Sequence, residues 1–363
     1  MRIVFLSYHY SPDISSPEEW IERIKFYIGW NEYLAKKHEV IRVDQINFKG
    51  NFEYNGIQFY CVDDGKKKNY FPRKLNRFVK KLNPDIILVS SFLYPLQVMQ
   101  LRRCVGNKIK IILQHHAEKQ FKGLKKYIQY LASRKVDAFL FTSYKTGIDW
   151  VINKNLDGKN KIHELLEVSS NFYPVNKITA KEKTHMSGWP VYLWVGRLNQ
   201  NKDPLTVIKA FLKFSLLHPN ATLYIIYQTD ELIKEINKLL PPEPGIRRIK
   251  LVGKIPHDEL LYWFNSADFY ISASYYEGSG TALCEAMSCG SIPVVSDIPS
   301  FRTISGNIGL FFEPGNENSL LSAFQESVHL KMEEKRNNTL DRFKADLSFE
   351  AISSKFQGIL ESL

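Results

Sequence analysis

Cysteine is scarce in this chain: Cys61, Cys104, Cys284 and Cys289 are the four among 363 residues. None forms a CxxC pair, and the C-x4-C of Cys284 and Cys289 has no histidine nearby. Neither a metal site nor a disulfide framework is expected, and the thiols read as reduced ones in a cytoplasmic protein. Cys289, in AMSCGSIPVV, reads as a small packing residue. Long apolar runs are missing too, since none approaches the ~18 residues of a membrane-spanning helix. The opening MRIVFLSYHYSPD has four apolar residues after Arg2, too few for a secretory core. Acidic charge is short in the first half only. Residues 1–180 hold 30 basic and 17 acidic side chains, a balance of +13, whereas 181–363 hold 19 and 21, a balance of −2. Such asymmetry implies that the first half meets something anionic: phosphates, nucleic acid or an acidic membrane surface.

What is present reads as two α/β domains. The length exceeds what one hydrophobic core usually serves, and 44% apolar with 24% charged residues is an ordinary globular balance. Short apolar, β-branched runs alternate with longer amphipathic ones, the pattern of βαβ units and doubly wound parallel sheets. The runs at 2–6, 39–43, 57–61, 85–89, 110–114, 138–142 and 162–168 predict strands of the first domain. Those at 191–195, 222–227, 249–252, 269–271 and 292–296 predict strands of the second. Helices are expected at 18–37, 74–82, 204–217 and 258–266. The polar stretch 171–188, with Pro174 inside it and Pro190 just beyond it, reads as an interdomain linker. Phe349, Ile352, Phe356 and Leu360, at steps of three and four, predict a closing helix. The domains expected are 1–175, joined by the helix 346–363, and 186–345. Such folds bind ligands at the carboxyl ends of their strands.

The densest chemical signal is YYEGSGTALCEAMSCGSIPVVSD at 275–297. Gly278 and Gly280 sit between a strand and a helix start, so free backbone N–H groups and a positive dipole end converge there as an anion cradle. Glu277 and Glu285 flank it, and carboxylates beside a phosphate site are suited to neutral ribose or hexose hydroxyls. A second signal is WVGRLNQNKDPLTVIKAF, where Gly196 turns the chain and Arg197 and Lys202 follow. A planar donor fork beside a compact ammonium suits a diphosphate.

Together these stretches resemble the family 4 retaining glycosyltransferases, also called group 1, whose GT-B architecture has two facing Rossmann-like domains with a cleft between them. The matching motifs are G-R-L-x3-K at 196–202, S-x-x-E-G-x-G at 274–280, E-x7-E at Glu277 and Glu285, CGSIPVVSD, and GLFFEPGN at 309–316. The resemblance implies that Arg197 and Lys202 hold the donor diphosphate and neutralise the departing charge, so that neither a metal nor another cofactor is required. It implies that Glu285 contacts the ribose and Glu277 the transferred sugar. Gly196, Gly278, Ser279, Gly280, Thr281, Ala282 and Leu283 complete the donor site. Retention is implied to proceed by attack on the same face as the departing diphosphate, without Glu277 as covalent nucleophile.

The first domain matches only in outline and would supply the acceptor side. Where relatives carry a Gly-Gly loop after the first strand, this chain has YHYSPDISSPEEW, with Ser15 and Ser16. Both His115 and His116, in QHHAEKQF, lie near the family's sugar-contacting histidine, and His9, Tyr8 and Glu118 are further acceptor candidates. Two basic amphipathic segments, 66–81 and 119–135, suit either an anionic bilayer or ordinary packing on the sheet. Nucleic acid is not an expected partner, since no zinc-finger spacing or RNP-like strand is present. A dehydrogenase would need GxGxxG after a strand, which GSG at 278–280 does not supply. The reading is a cytoplasmic, membrane-peripheral hexosyltransferase. Its expected substrates are a nucleotide sugar and a glycan or lipid-linked acceptor in envelope polysaccharide synthesis. A non-catalytic nucleotide-sugar sensor is the alternative.

Overall fold

The computed structural model describes residues 1–62, 71–240 and 248–363. The chain divides into two compact units, Met1–Ser169 with Phe349–Leu363, and Ser170–Ser348. In the first, the strands are β1 (Arg2–Ser11), β2 (Glu39–Ile46), β3 (Gly50–Tyr54), β4 (Ile57–Val62), β5 (Ile86–Ser90), β6 (Lys110–Gln114), β7 (Ala138–Phe141) and β8 (Ile162–Glu164). They form a sheet of order β3-β4-β2-β1-β5-β6-β7-β8. All pairs are parallel except the β3–β4 hairpin, whose turn places Asn55 and Gly56 at φ 48° and 79°. Asn-Gly favours that turn because both residues tolerate positive φ. The sequence reading passed over β3.

The second unit is a parallel sheet of β9 (Val191–Gly196), β10 (Thr222–Tyr227), β11 (Ile249–Gly253), β12 (Phe269–Ser272), β13 (Ile292–Ser296) and β14 (Leu310–Phe312). Their order is β11-β10-β9-β12-β13-β14. Strands covered on both faces explain the unbroken apolar runs. Tyr192 shows the packing: its ring stacks on Phe269 at 5.1 Å and meets Phe324 edge-on at 4.9 Å, while its hydroxyl bonds Ser327. Burial pushes the thiols of Cys284 and Cys289, and of Cys61 in the first unit, up to about 12, so these cysteines are packing residues.

The expected linker 171–188 is instead structured within the second unit. Helix Lys177–Thr184 is capped by Asn176, whose side chain accepts from Ile178 N at 2.9 Å. Thr184 bonds Ser266 at 2.9 Å, and the Lys177 ammonium meets Asp268. A polar sequence served here as a cap and a surface helix, which composition cannot distinguish from a linker.

The two basic segments behave differently. Residues 66–70 lie outside the described residues; in the helix Arg73–Lys81, Leu75 and Val79 are buried against the sheet. In the helix Leu124–Ser133 the buried side chains are Gln129, Ala132 and Ser133. Leu124, Tyr127 and Leu131 are 84%, 64% and 50% exposed on the opposite side. Gln129 explains the inversion, because it donates to Phe92 O at 3.2 Å and accepts from Asn155 Nδ2 at 2.8 Å and Phe121 N at 3.2 Å. That network turns the polar side inward and leaves the apolar one in solvent.

The closing helix Phe349–Glu361 packs on the helix Pro17–Ala35 of the same unit, with Trp30 edge-on to Phe356 at 5.2 Å. A Cβ at Gly29 would stand 2.5 Å from the Phe349 ring. Gly29→Val is expected to destabilise the first unit by ~1–3 kcal/mol through overpacking, read as a lowered thermal midpoint; an unchanged midpoint would refute this packing.

Candidate functional site

In the second unit, β9 pairs with β10 on one side and β12 on the other, so the strand order reverses at β9 and β12. Loops from these two neighbours therefore part, and a crevice at their carboxyl ends is a topological consequence. Gly196 ends β9, and a Cβ there would meet the Trp194 ring at 3.0 Å. Arg197 follows, exposed and without an ion pair among the described residues. The two loops are laced together: Tyr275 N donates to Asn201 O and Asn201 Nδ2 donates to Tyr276 O, both at 2.9 Å. Across this lacing the Lys202 ammonium contacts the Glu277 carboxylate, which also accepts from Ser274 Oγ at 3.4 Å. Two residues read separately from the sequence thus form one charged pair.

Gly280 (φ 64°) opens the helix Thr281–Ser288, and a Cβ there would stand 2.5 Å from Ile304 Cδ1. No side chain caps this start, so its first N–H groups are available to an anion. Gly278 is buried, Ser279, Thr281 and Ala282 are half-buried, and Leu283 anchors the helix in the core at 1% exposure. Glu285, one turn along, is buried and bonds His257 Nε2 through Oε1 at 2.6 Å. The His257 ring stacks on Phe172 at 5.0 Å. His257 escaped the sequence reading; its place just after β11, at the same sheet end, was the available signal.

The first unit reverses its order at β1 and β5. A cavity of about 370 Å³ lies there, lined by the helix Pro17–Ala35, the ends of β1, β5 and β6, and Glu167. The structure separates the two histidines. His115 is 3% exposed, boxed by Phe92, Phe141 and Trp150, with Nε2 3.1 Å from Glu118 O. His116 lines the cavity, with Nδ1 against the Glu167 carboxylate. Glu118 also lines it and ties two loops by accepting from Phe92 N at 3.0 Å and His116 N at 2.7 Å. His9 is at the rim, 3.3 Å from the Tyr94 hydroxyl.

Three acceptor candidates serve structure instead. Tyr8 is fully buried in the core and donates to Asn76 Oδ1 at 2.8 Å. Ser16 caps the helix Pro17–Ala35, accepting from Glu19 N at 3.2 Å, while Glu19 reaches back to Ser15 N at 2.8 Å. These serines are a capping arrangement, not substitutes for a ligand-facing glycine loop.

Burial lowers the His115 imidazole below its ordinary value, outweighing the Glu118 charge. For His116, burial acts in the same direction, but the charge and hydrogen bond of Glu167, with Glu118 behind it, hold it above that value. Stability drawn from a raised histidine is complete below its unfolded pKa of about 6.5 and is lost as pH rises through the folded one. In an NMR titration His116 is therefore expected to titrate above, and His115 below, that value. Glu167→Gln should bring His116 down and remove the stability loss on the alkaline side; coincident titrations would contradict the assignment.

Comparison with known proteins places these observations. Residues 176–343 match the family model of glycosyl transferases group 1. The O-antigen chain mannosyltransferase B of Escherichia coli is 32% identical over 88 residues, 24% of this chain and 23% of that protein. A GDP-mannose:cellobiosyl-diphosphopolyprenol alpha-mannosyltransferase of Xanthomonas oryzae is 31% identical over 121 residues, 32% of this chain and 31% of that protein. The matches thus span about a quarter to a third of these relatives. The structure of Anabaena Alr3699/HepE in complex with UDP superposes at a TM-score of 0.75, covering 100% of both chains at 14% identity. Residues 176–343, within the second unit, are thus similar to the group 1 glycosyl transferases, and the chain has the GT-B fold.

Proposed function

We propose that the chain is a retaining family 4 glycosyltransferase that moves a hexose from a nucleotide diphosphate sugar to a glycan or lipid-linked acceptor in envelope polysaccharide synthesis. The observation that carries the reading is the meeting of Lys202 and Glu277 between the loops of β9 and β12, beside the uncapped start of the helix Thr281–Ser288. Those N–H groups and the Arg197 and Lys202 cations favour a diphosphate, most strongly as it departs with growing charge. The reading therefore calls for no resident metal. Glu277, held by Lys202, offers its carboxylate to sugar hydroxyls, and Glu285, oriented by His257, stands on the ribose side. The names of the two curated relatives, both mannosyltransferases and one acting on a diphosphopolyprenol-linked glycan, support the hexose and the acceptor class.

Lys202→Ala and Glu285→Ala are each expected to cut nucleotide release from UDP-, GDP- or ADP-sugars by at least 100-fold, about 2.7 kcal/mol of transition-state stabilisation, with the circular dichroism spectrum unchanged. Wild-type rates in both variants would remove these residues from the site. Tight donor binding without release by the wild-type chain, across a broad acceptor panel, would favour a sensor.

We further place the chain on the inner face of the cytoplasmic membrane. Among the described residues no helix is long and apolar enough to cross a bilayer. Leu124, Tyr127 and Leu131 are nevertheless exposed on one helix face, flanked by Lys122, Lys125, Lys126, Arg134 and Lys135. Apolar contact plus ~1 kcal/mol per basic residue near an anionic surface favours such a helix in the interface. Lys110, Arg134, Lys135 and Lys161 also line one groove near the amino ends of β6 to β8. The triple variant Leu124→Ser, Tyr127→Ser, Leu131→Ser is expected to lose at least tenfold in co-sedimentation with anionic vesicles. Equal wild-type binding to neutral and anionic vesicles, or none to either, would overturn the placement.

A further inference from the structure

The cavity of the first unit carries chemistry that donor binding does not use. Asn31 Nδ2, both ends of the Gln114 amide and His116 Nε2 are buried and without hydrogen-bond partners among the described residues. Asn31 and Gln114 are 1% and 2% exposed, and all three side chains line the cavity. An unpaired buried polar group costs ~1–3 kcal/mol, so three such side chains lining one cavity point to a ligand that satisfies them.

The charges of the cavity identify that ligand's class, because they are already engaged. Arg42 donates to both Asp44 oxygens at 3.2 and 3.3 Å and to Asn31 Oδ1 at 3.0 Å. The Trp20 indole donates to Asp44 Oδ2 at 3.0 Å, and His116 faces Glu167. A phosphate entering here would meet no uncommitted Lys or Arg and would approach the carboxylates of Asp44, Glu118 and Glu167. The remaining wall offers the rings of Trp20, Tyr27, Trp30 and Tyr94. Aromatic surface beside uncharged donors and acceptors matches a pyranose, which has an apolar C–H face and a rim of hydroxyls. At about 370 Å³ the cavity falls within the range of small-molecule sites.

We infer that this cavity binds a neutral sugar ring of the acceptor, held by Asn31, Gln114 and His116, and that any phosphate of the acceptor lies outside it. The sugar's role as acceptor rests on the transferase reading above; its binding does not. The acceptor class is therefore a glycan terminus, already bearing at least one sugar, and not a bare lipid phosphate.

Saturation-transfer NMR on the full chain tests this with the methyl glycosides of mannose, glucose, galactose and N-acetylglucosamine, against methyl phosphate. At least one glycoside is expected to bind, methyl phosphate is not expected to displace it, and Gln114→Met is expected to weaken it at least tenfold. The same variant should melt above wild type, since a methionine leaves no amide unpaired. Should that variant not fold, wild-type Trp20 and Trp30 fluorescence, shifted by the glycoside and not by methyl phosphate, supplies the same comparison. No glycoside bound, displacement by methyl phosphate, or unchanged affinity in a folded Gln114→Met would overturn the inference. A chain that binds the glycoside through Gln114 yet releases no nucleotide from any donor would overturn the transferase reading alone.

Discussion

A parallel strand can be followed by another only through a crossover, and this constraint sends every carboxyl end of a parallel sheet to one edge. Where the winding changes direction, the two central loops part and leave room for a ligand. In each unit that point is defined by one strand's pairing: β1 between β2 and β5, and β9 between β10 and β12. The chemistry described above collects at these two points. Lys202, Glu277 and the start of the helix Thr281–Ser288 occupy the second, while Gln114, His116 and Glu118 stand near the first.

The two points differ in electrostatic character, and the difference follows from what each charge faces. At the second, the Arg197 guanidinium is exposed, the Lys202 ammonium touches a single carboxylate, and a helix start adds partial positive charge. Such a set favours an anion carrying several charges. At the first, Arg42 is saturated by Asp44 and Asn31, and the raised His116 is matched by Glu167. A neutral ligand with hydroxyls meets fewer desolvation costs there than a phosphate. Among the described residues the basic surplus of the first half lies elsewhere, on the helix Arg73–Lys81, around the helix Leu124–Ser133 and along the groove of Lys110 and Lys161. Under the proposed function, donor phosphate, acceptor sugar and membrane phosphate would each meet a chemically distinct surface of the chain.

The second unit was largely legible from sequence because its site is local. G-R-L-x3-K and S-x-x-E-G-x-G are each contained in one strand, turn and helix start, so type and spacing carried the chemistry. The first unit was not, because its cavity is assembled from Asn31, Arg42, Gln114 and Glu167, which are far apart in the chain and individually unremarkable. Tyr8, Ser15 and Ser16 misled for the same reason. Their neighbourhood along the chain suggested a ligand loop, whereas the fold spent one on a core hydrogen bond and two on a helix cap.

By itself the sequence determined the alternation of strands and helices, the two-unit organisation and the glycine- and charge-bearing motifs of the second unit, because periodicity and short-range spacing are properties of adjacent residues. Only the tertiary structure decided which histidine faces the cavity. His115 and His116 are neighbours just past β6, one set in an aromatic box and the other against Glu167. It alone decided that the helix Leu124–Ser133 turns its apolar side outward, because Gln129 finds partners on Phe92, Phe121 and Asn155. It also decided that Lys202 and Glu277 act as a pair. Side-chain direction and partnership depend on residues distant in sequence, and amphipathic pattern alone does not specify which face the fold will bury.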